Sequence, residues 1–166
     1  MGMIFNIVRV SKEELKDCLR DTFLFDYKLD AIFNNENDDA WVDIDKSWGG
    51  ILFMLTGGGL NSYEHPLAKV LFSGQKITAK GPDSHYEMAD YLDPEQVKEV
   101  CAEIAKISNK ELMGRFDPIA MNEEKVYPGG VWDESRFKNV LQSFEVLKGI
   151  YLKAAERNEA IITFIS

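Results

Sequence analysis

Both ends of this 166-residue chain are short, apolar and β-branched, and that fact constrains the fold more than any other. Residues 3–10, "MIFNIVRV", have the composition of a mostly buried strand, and residues 160–165, "AIITFI", read as a fully buried one. A lone strand cannot satisfy its backbone groups, so two such strands find each other most economically side by side in one sheet. Everything between them must then leave that sheet and return to cover it. The expected fold is α+β: a single domain over residues 1–166, with a small mixed or antiparallel sheet containing both terminal strands and several helices packed on it.

The intervening sequence supplies those helices. Ser11 and Glu14 have capping-box spacing, and Leu15, Cys18 and Leu19 follow on one helical face. Residues 23–33 read as a second helix that stops in the polar turn "NNENDD". Residues 75–91 read as a short strand with a long loop. At Asp93-Pro94-Glu95-Gln96 an N-cap, a proline at N1 and a glutamine at N3 precede Val97, Val100, Cys101 and Ile104 at helical spacing. Ser108 with Glu111 opens a short helix, and "YPGG" at 127–130 marks a turn. Asp133 then caps a long helix with Phe137, Val140, Leu141, Phe144, Leu147, Tyr151 and Ala154 along one stripe, and Asn158 is placed to end it.

A chain of this length buries roughly 70% of its unfolded surface. With 45% hydrophobic residues, including ten Phe, six Tyr and three Trp, it needs no metal or disulfide to hold its core. The same aromatics serve a core or a dimer face equally well, so they leave oligomeric state open. Cys18 and Cys101 are too few and too far apart for a disulfide framework or a zinc site, and both fall on apolar stripes. The N-terminus lacks the basic and long apolar regions of a signal peptide, and Asn6 stands where a myristoylation signal needs Ser or Thr. No apolar run reaches 18 residues, so no membrane span is expected and the cytoplasm is the expected location. The net charge of −9 comes without a basic stripe, which argues against nucleic acid and leaves a soluble surface or a basic protein partner.

The stretch that most resembles a functional signature is "DIDKSWGGILFMLTGGG", residues 43–59. Neither glycine group is followed by the Lys-Ser/Thr of a P-loop, and the GxGxxG spacing is absent. Asp43, Asp45 and Ser47 alternate like the start of an EF-hand, but Trp48 stands at the turn glycine and Met54 at the closing glutamate. The two histidines, His65 and His85, form no zinc motif, and Ser84, His85 and Glu87 do not make a triad by adjacency. The segment therefore reads as a capped helix, in preference to a central strand over 51–56. Asp45 is the expected N-cap, Trp48, Ile51, Leu52 and Leu55 the buried stripe, and Gly57 the stop. Gly49 and Gly50 are awkward inside such a helix, at about 1 kcal/mol each relative to Ala.

"MGMIF", "DIDKSW…LTG", "HPLAKVLFSG", "YLDPEQVKEV", "VYPGGVW" and "LKGIYLKAAERNEAIITFI" occur in this order along the whole chain. In these the sequence resembles the YfbM-like family of small bacterial proteins. The resemblance implies a bacterial cytoplasmic α+β domain without an assigned molecular function, so it brings no catalytic residues to carry over. It supports the helical reading of the 43–59 segment, because the family has Asp-Lys-x-Trp leading into an amphipathic helix. Gly49-Gly50 departs from that pattern.

Two functions follow as expectations. The first is a non-catalytic protein-interaction module, of the kind an immunity protein represents, that binds a basic partner and requires no cofactor or metal. The alternative is a small enzyme or small-molecule binder. In it Asp43 and Asp45 supply carboxylates, Lys46 a cation, Trp48 a stacking face, and His65 and Tyr127 proton-transfer groups. That alternative requires three distant segments to converge.

Overall fold

In the computed structural model, which describes residues 2–35, 38–59, 62–77 and 89–166, the two terminal strands sit together at the centre of a sheet. Strand β1 (Phe5–Val10) pairs antiparallel with β4 (Ala160–Ile165) over its whole length, Phe5 opposite Ile165 and Val10 opposite Ala160. Two three-residue strands flank this pair: β2 (Trp41–Asp43) beside β1 and β3 (Asp90–Leu92) beside β4, giving the order β2-β1-β4-β3. All three pairings are antiparallel.

The sheet is buried on both faces, so its strands carry apolar residues at consecutive rather than alternate positions. On one face Phe5, Ile7 and Ile161 enter a large core with helices α3 (Trp48–Thr56), α4 (Pro94–Ala105) and α7 (Glu134–Glu156). On the other, Val8, Val10, Ile162 and Phe164 pack with α1 (Lys12–Arg20) and α2 (Thr22–Phe33). Two short helices, α5 (Asn109–Gly114) and α6 (Pro118–Glu123), link α4 to the turn before α7. The molecule is thus a single α+β domain with helical layers on both sides of a four-stranded sheet.

Capping chemistry sets most helix starts. Ser11 accepts from the Glu14 amide, Ser108 from Glu111 and Asp133 from Arg136. Asp93 and Gln96 complete a reciprocal capping box. Asn158, at φ 54, takes the left-handed conformation just beyond α7.

The structure departs from the sequence expectations at several places. Asp45 is not an N-cap: its φ is 45, and Asp45–Ser47 form a single 3-10 turn that runs directly into α3. The amide of Asp45 is taken instead by the Asp43 carboxylate at 3.1 Å. Helix α3 is also not amphipathic, since every residue from Trp48 to Leu55 is buried. It lies in the middle of the larger core, where it meets α7, the 3-10 turn Pro66–Val70 and the 126–132 segment. Its end is as expected: Gly57, at φ 78, donates its amide to the Phe53 carbonyl at 2.7 Å. The segment 75–91, expected to hold a short strand, contains the first two residues of β3, whose Asp90 forms a bridge with Lys76. Residues 78–88 lie outside the described residues, and with them Ser84, His85 and Glu87.

Candidate functional site

The start of α3 is fixed by its neighbours. The Trp48 ring stacks on Tyr127 with centroids 4.7 Å apart and planes at 21°. The edge of Phe72 meets the Trp48 ring at 5.8 Å. Both polar tips of the stack close on the backbone of Met3. The Trp48 indole N–H donates to the Met3 carbonyl at 3.1 Å, and the Tyr127 hydroxyl accepts from the Met3 amide at 2.7 Å. An aromatic pair whose polar ends both meet backbone is well satisfied, and Trp48 is only 2% exposed.

Gly49 and Gly50 are explained by the same packing. A Cβ on Gly49 would overlap the Tyr127 carbonyl oxygen, and one on Gly50 would lie 2.7 Å from the Trp132 ring and 3.0 Å from Val140. Each glycine admits a neighbour that a side chain would displace, and burial of Trp132 and Tyr127 against α3 offsets the helix-propensity cost. This pair is a packing feature.

The six residues singled out from sequence do not share one cavity. Trp48 and Tyr127 line a depression of about 860 Å³ with Gly58, Gly59, Glu124 and Lys125. The Glu124 carboxylate in that depression accepts the Gly59 amide at 3.0 Å. His65 lines a different groove, of about 510 Å³, beside α4. It caps the Pro66–Val70 turn, its Nδ1 accepting the Leu67 amide at 3.1 Å. Asp43, Asp45 and Lys46 line neither. The two aspartates are exposed, and the Lys46 side chain runs against Gly2.

Among the described residues, nucleophiles and metal ligands give no second constellation. Burial above all, and then the nearby Glu14 and Asp17 carboxylates, push the Cys18 thiol up to about 11, and burial raises Cys101 as well. Activated thiols shift in the other direction. Among the described residues no three His, Cys, Asp or Glu side chains gather as a metal requires, and no helix is long and apolar enough to cross a membrane.

What the sequence reading missed is on the opposite side of the sheet. Helix α2 buries Phe25, Leu29 and Ile32 inward but also carries Phe23 and Tyr27 outward, 76% and 75% exposed. Leu24 and, at the end of α1, Leu19 are exposed beside them in sequence. A signal was present: "TFLFDYKLDAIF" holds more apolar residues than one helical face can bury.

A family model described as "Domain of unknown function (DUF1877)" matches residues 1–164. The chain belongs to the DUF1877 family. Among solved structures, this family member is similar to "a protein of unknown function YfbM from Escherichia coli". The TM-score is 0.75 at 19% identity, covering 99% of this chain and 100% of that one. A likeness at that identity establishes a shared fold, as the ordered motifs imply. No curated protein matches the chain.

Proposed function

We propose that this DUF1877 protein is a non-catalytic interaction module that docks a basic protein partner through the outer face of α1 and α2. The observation that carries the reading is the pair Phe23 and Tyr27, one helical turn apart and each about three-quarters exposed. Large aromatics are the side chains on which interfaces concentrate their binding energy, and leaving two in water is unfavourable unless a partner covers them. Charge supports the sign of that partner. Residues 12–45, which contain α1, α2 and β2, hold eleven Asp and Glu against four Lys and Arg, so most of the net −9 falls within this stretch of the sequence. Such a field steers a basic protein toward the aromatic pair. The dispersal of Asp43, Asp45, Lys46 and His65 away from the Trp48–Tyr127 stack further favours a surface over a catalytic pocket.

The test is affinity capture of the full chain from a lysate of the source organism, with the retained protein identified and its affinity measured. The expected partner is basic, its association slows with added salt, and Phe23→Ala/Tyr27→Ala weakens it by about 30-fold or more. Both positions are exposed, so the variant keeps the wild-type circular dichroism and melting temperature. A partner bound equally well by the double variant, or no specific partner at micromolar concentration, sinks the proposal.

A further inference from the structure

The groove at His65 lies in the layer across the sheet from α1 and α2 and has its own chemistry. One wall is the 3-10 turn Pro66–Val70, and the other is α4 with the residues that follow it. Between them Leu67, Val100 and Ile107 form an apolar floor, Leu67 half-buried and the other two nearly buried by the surrounding core. The charges around that floor sort themselves. Lys106 pairs with Glu103 at 2.9 Å, and Arg115 pairs with Glu111 at 2.9 Å while also donating to the Met54 carbonyl at 3.3 Å. Two lining charges of opposite sign remain, Lys69 on the turn and Glu99 on α4. Neither has an ion pair among the described residues. A third group is oriented beside them. Because Nδ1 of His65 accepts the Leu67 amide, the neutral ring carries its proton on Nε2, where it is a donor at the groove.

An apolar floor with an unpaired cation on one wall and an unpaired anion on the other complements a molecule that carries both charges and a hydrophobic body. We propose that this groove binds a zwitterionic small molecule of the free apolar α-amino-acid class. Lys69 and the His65 Nε2–H take the carboxylate, Glu99 takes the ammonium, and Leu67, Val100 and Ile107 receive the side chain. The volume of about 510 Å³ falls within the range of small-molecule sites, roughly 300–1,000 Å³. The site is independent of the α1–α2 surface and needs no residue from it.

Calorimetric titration of the full chain with phenylalanine, phenethylamine and 3-phenylpropionate tests this directly. Phenylalanine should saturate, and each analogue lacking one charge should bind about 10-fold more weakly. In Lys69→Ala the affinity for phenylalanine should fall to that of phenethylamine, and in Glu99→Ala to that of 3-phenylpropionate. Both side chains are exposed, so neither substitution threatens folding. The Phe23→Ala/Tyr27→Ala variant should bind phenylalanine as the wild type does, which separates this site from the protein-docking face. Absence of saturable phenylalanine binding overturns the proposal. So does an analogue binding as tightly as phenylalanine, or affinity unchanged in both single variants.

Discussion

At the residue scale, three glycines in helices make opposite demands. Gly49 meets the backbone of Tyr127, which cannot move aside, whereas Gly149 in α7 has nothing within 4 Å of an added Cβ. Overpacking costs about 1–3 kcal/mol, and contact with backbone places Gly49 at the upper end. The gain of about 1 kcal/mol in helix propensity does not offset that. Gly49→Ala should therefore lower the urea-unfolding free energy by about 2 kcal/mol, net of the propensity gain. Gly50→Ala should act in the same direction through Trp132. Gly149→Ala should raise stability by about 0.5–1 kcal/mol. If all three variants stabilise, the packing account of Gly49-Gly50 is wrong. Cys18 offers a second residue-scale outcome. Buried and raised to about 11, it should resist thiol reagents at pH 8 in the native state and react at once in denaturant.

At the element scale, legibility in the sequence followed local chemistry. Asp93-Pro94-Glu95-Gln96 announced α4 because cap, proline and reciprocal glutamine are contiguous, and Asp93→Ala should cost about 1 kcal/mol in urea denaturation. Asp117-Pro118 has the cap and the proline, and Asp117 accepts the Ala120 amide to open α6, but Ala120 stands where α4 has Gln96 and α5 has Glu111, so the capping-box spacing that marks those helices is missing. Strands β2 and β3 were equally hard to read. Three residues show no alternation, and their positions are set by β1 and β4 rather than by their own composition. At Asp45 the sequence is ambiguous, because a carboxylate before an apolar run suits an N-cap or a turn alike. The structure uses Asp43 to close the turn. The outward aromatics of α2 are not legible one by one, because an apolar residue in sequence does not say which way it points.

At the scale of the whole molecule, one ionic cluster ties the layers together. Arg9, only 3% exposed, donates to Glu159 at 2.5 Å and to Asp39 at 2.6 Å. Lys153 of α7 reaches the second Asp39 oxygen at 3.0 Å. The Lys153 hydrogen bond first, and then the Arg9 charge, hold the Asp39 carboxyl below its ordinary value. Between the folded and unfolded values the unfolded chain binds more protons, so stability rises with pH across that window. The contribution of Asp39 is fully present above the ordinary carboxylate range and is lost as pH falls through the lowered folded value. Unfolding free energies measured from pH 6 to pH 3 should decline, and Asp39→Asn should flatten part of that slope. An unchanged slope would remove Asp39 from the account. Global arrangements of this kind were invisible in the sequence, where Arg9, Asp39, Lys153 and Glu159 are separated by up to 150 positions.

The central pairing of β1 with β4 has a consequence for how the chain comes to be folded. Strand β1 can meet β2 early, but it completes its ladder on the other side only with β4, so during synthesis that edge has no partner until residues 160–165 emerge. Until then Phe5, Ile7 and Val8 are open to any chaperone that recognises apolar nascent chain. Joining the two halves of the sheet is thus governed by contacts of long sequence separation rather than by local hairpins.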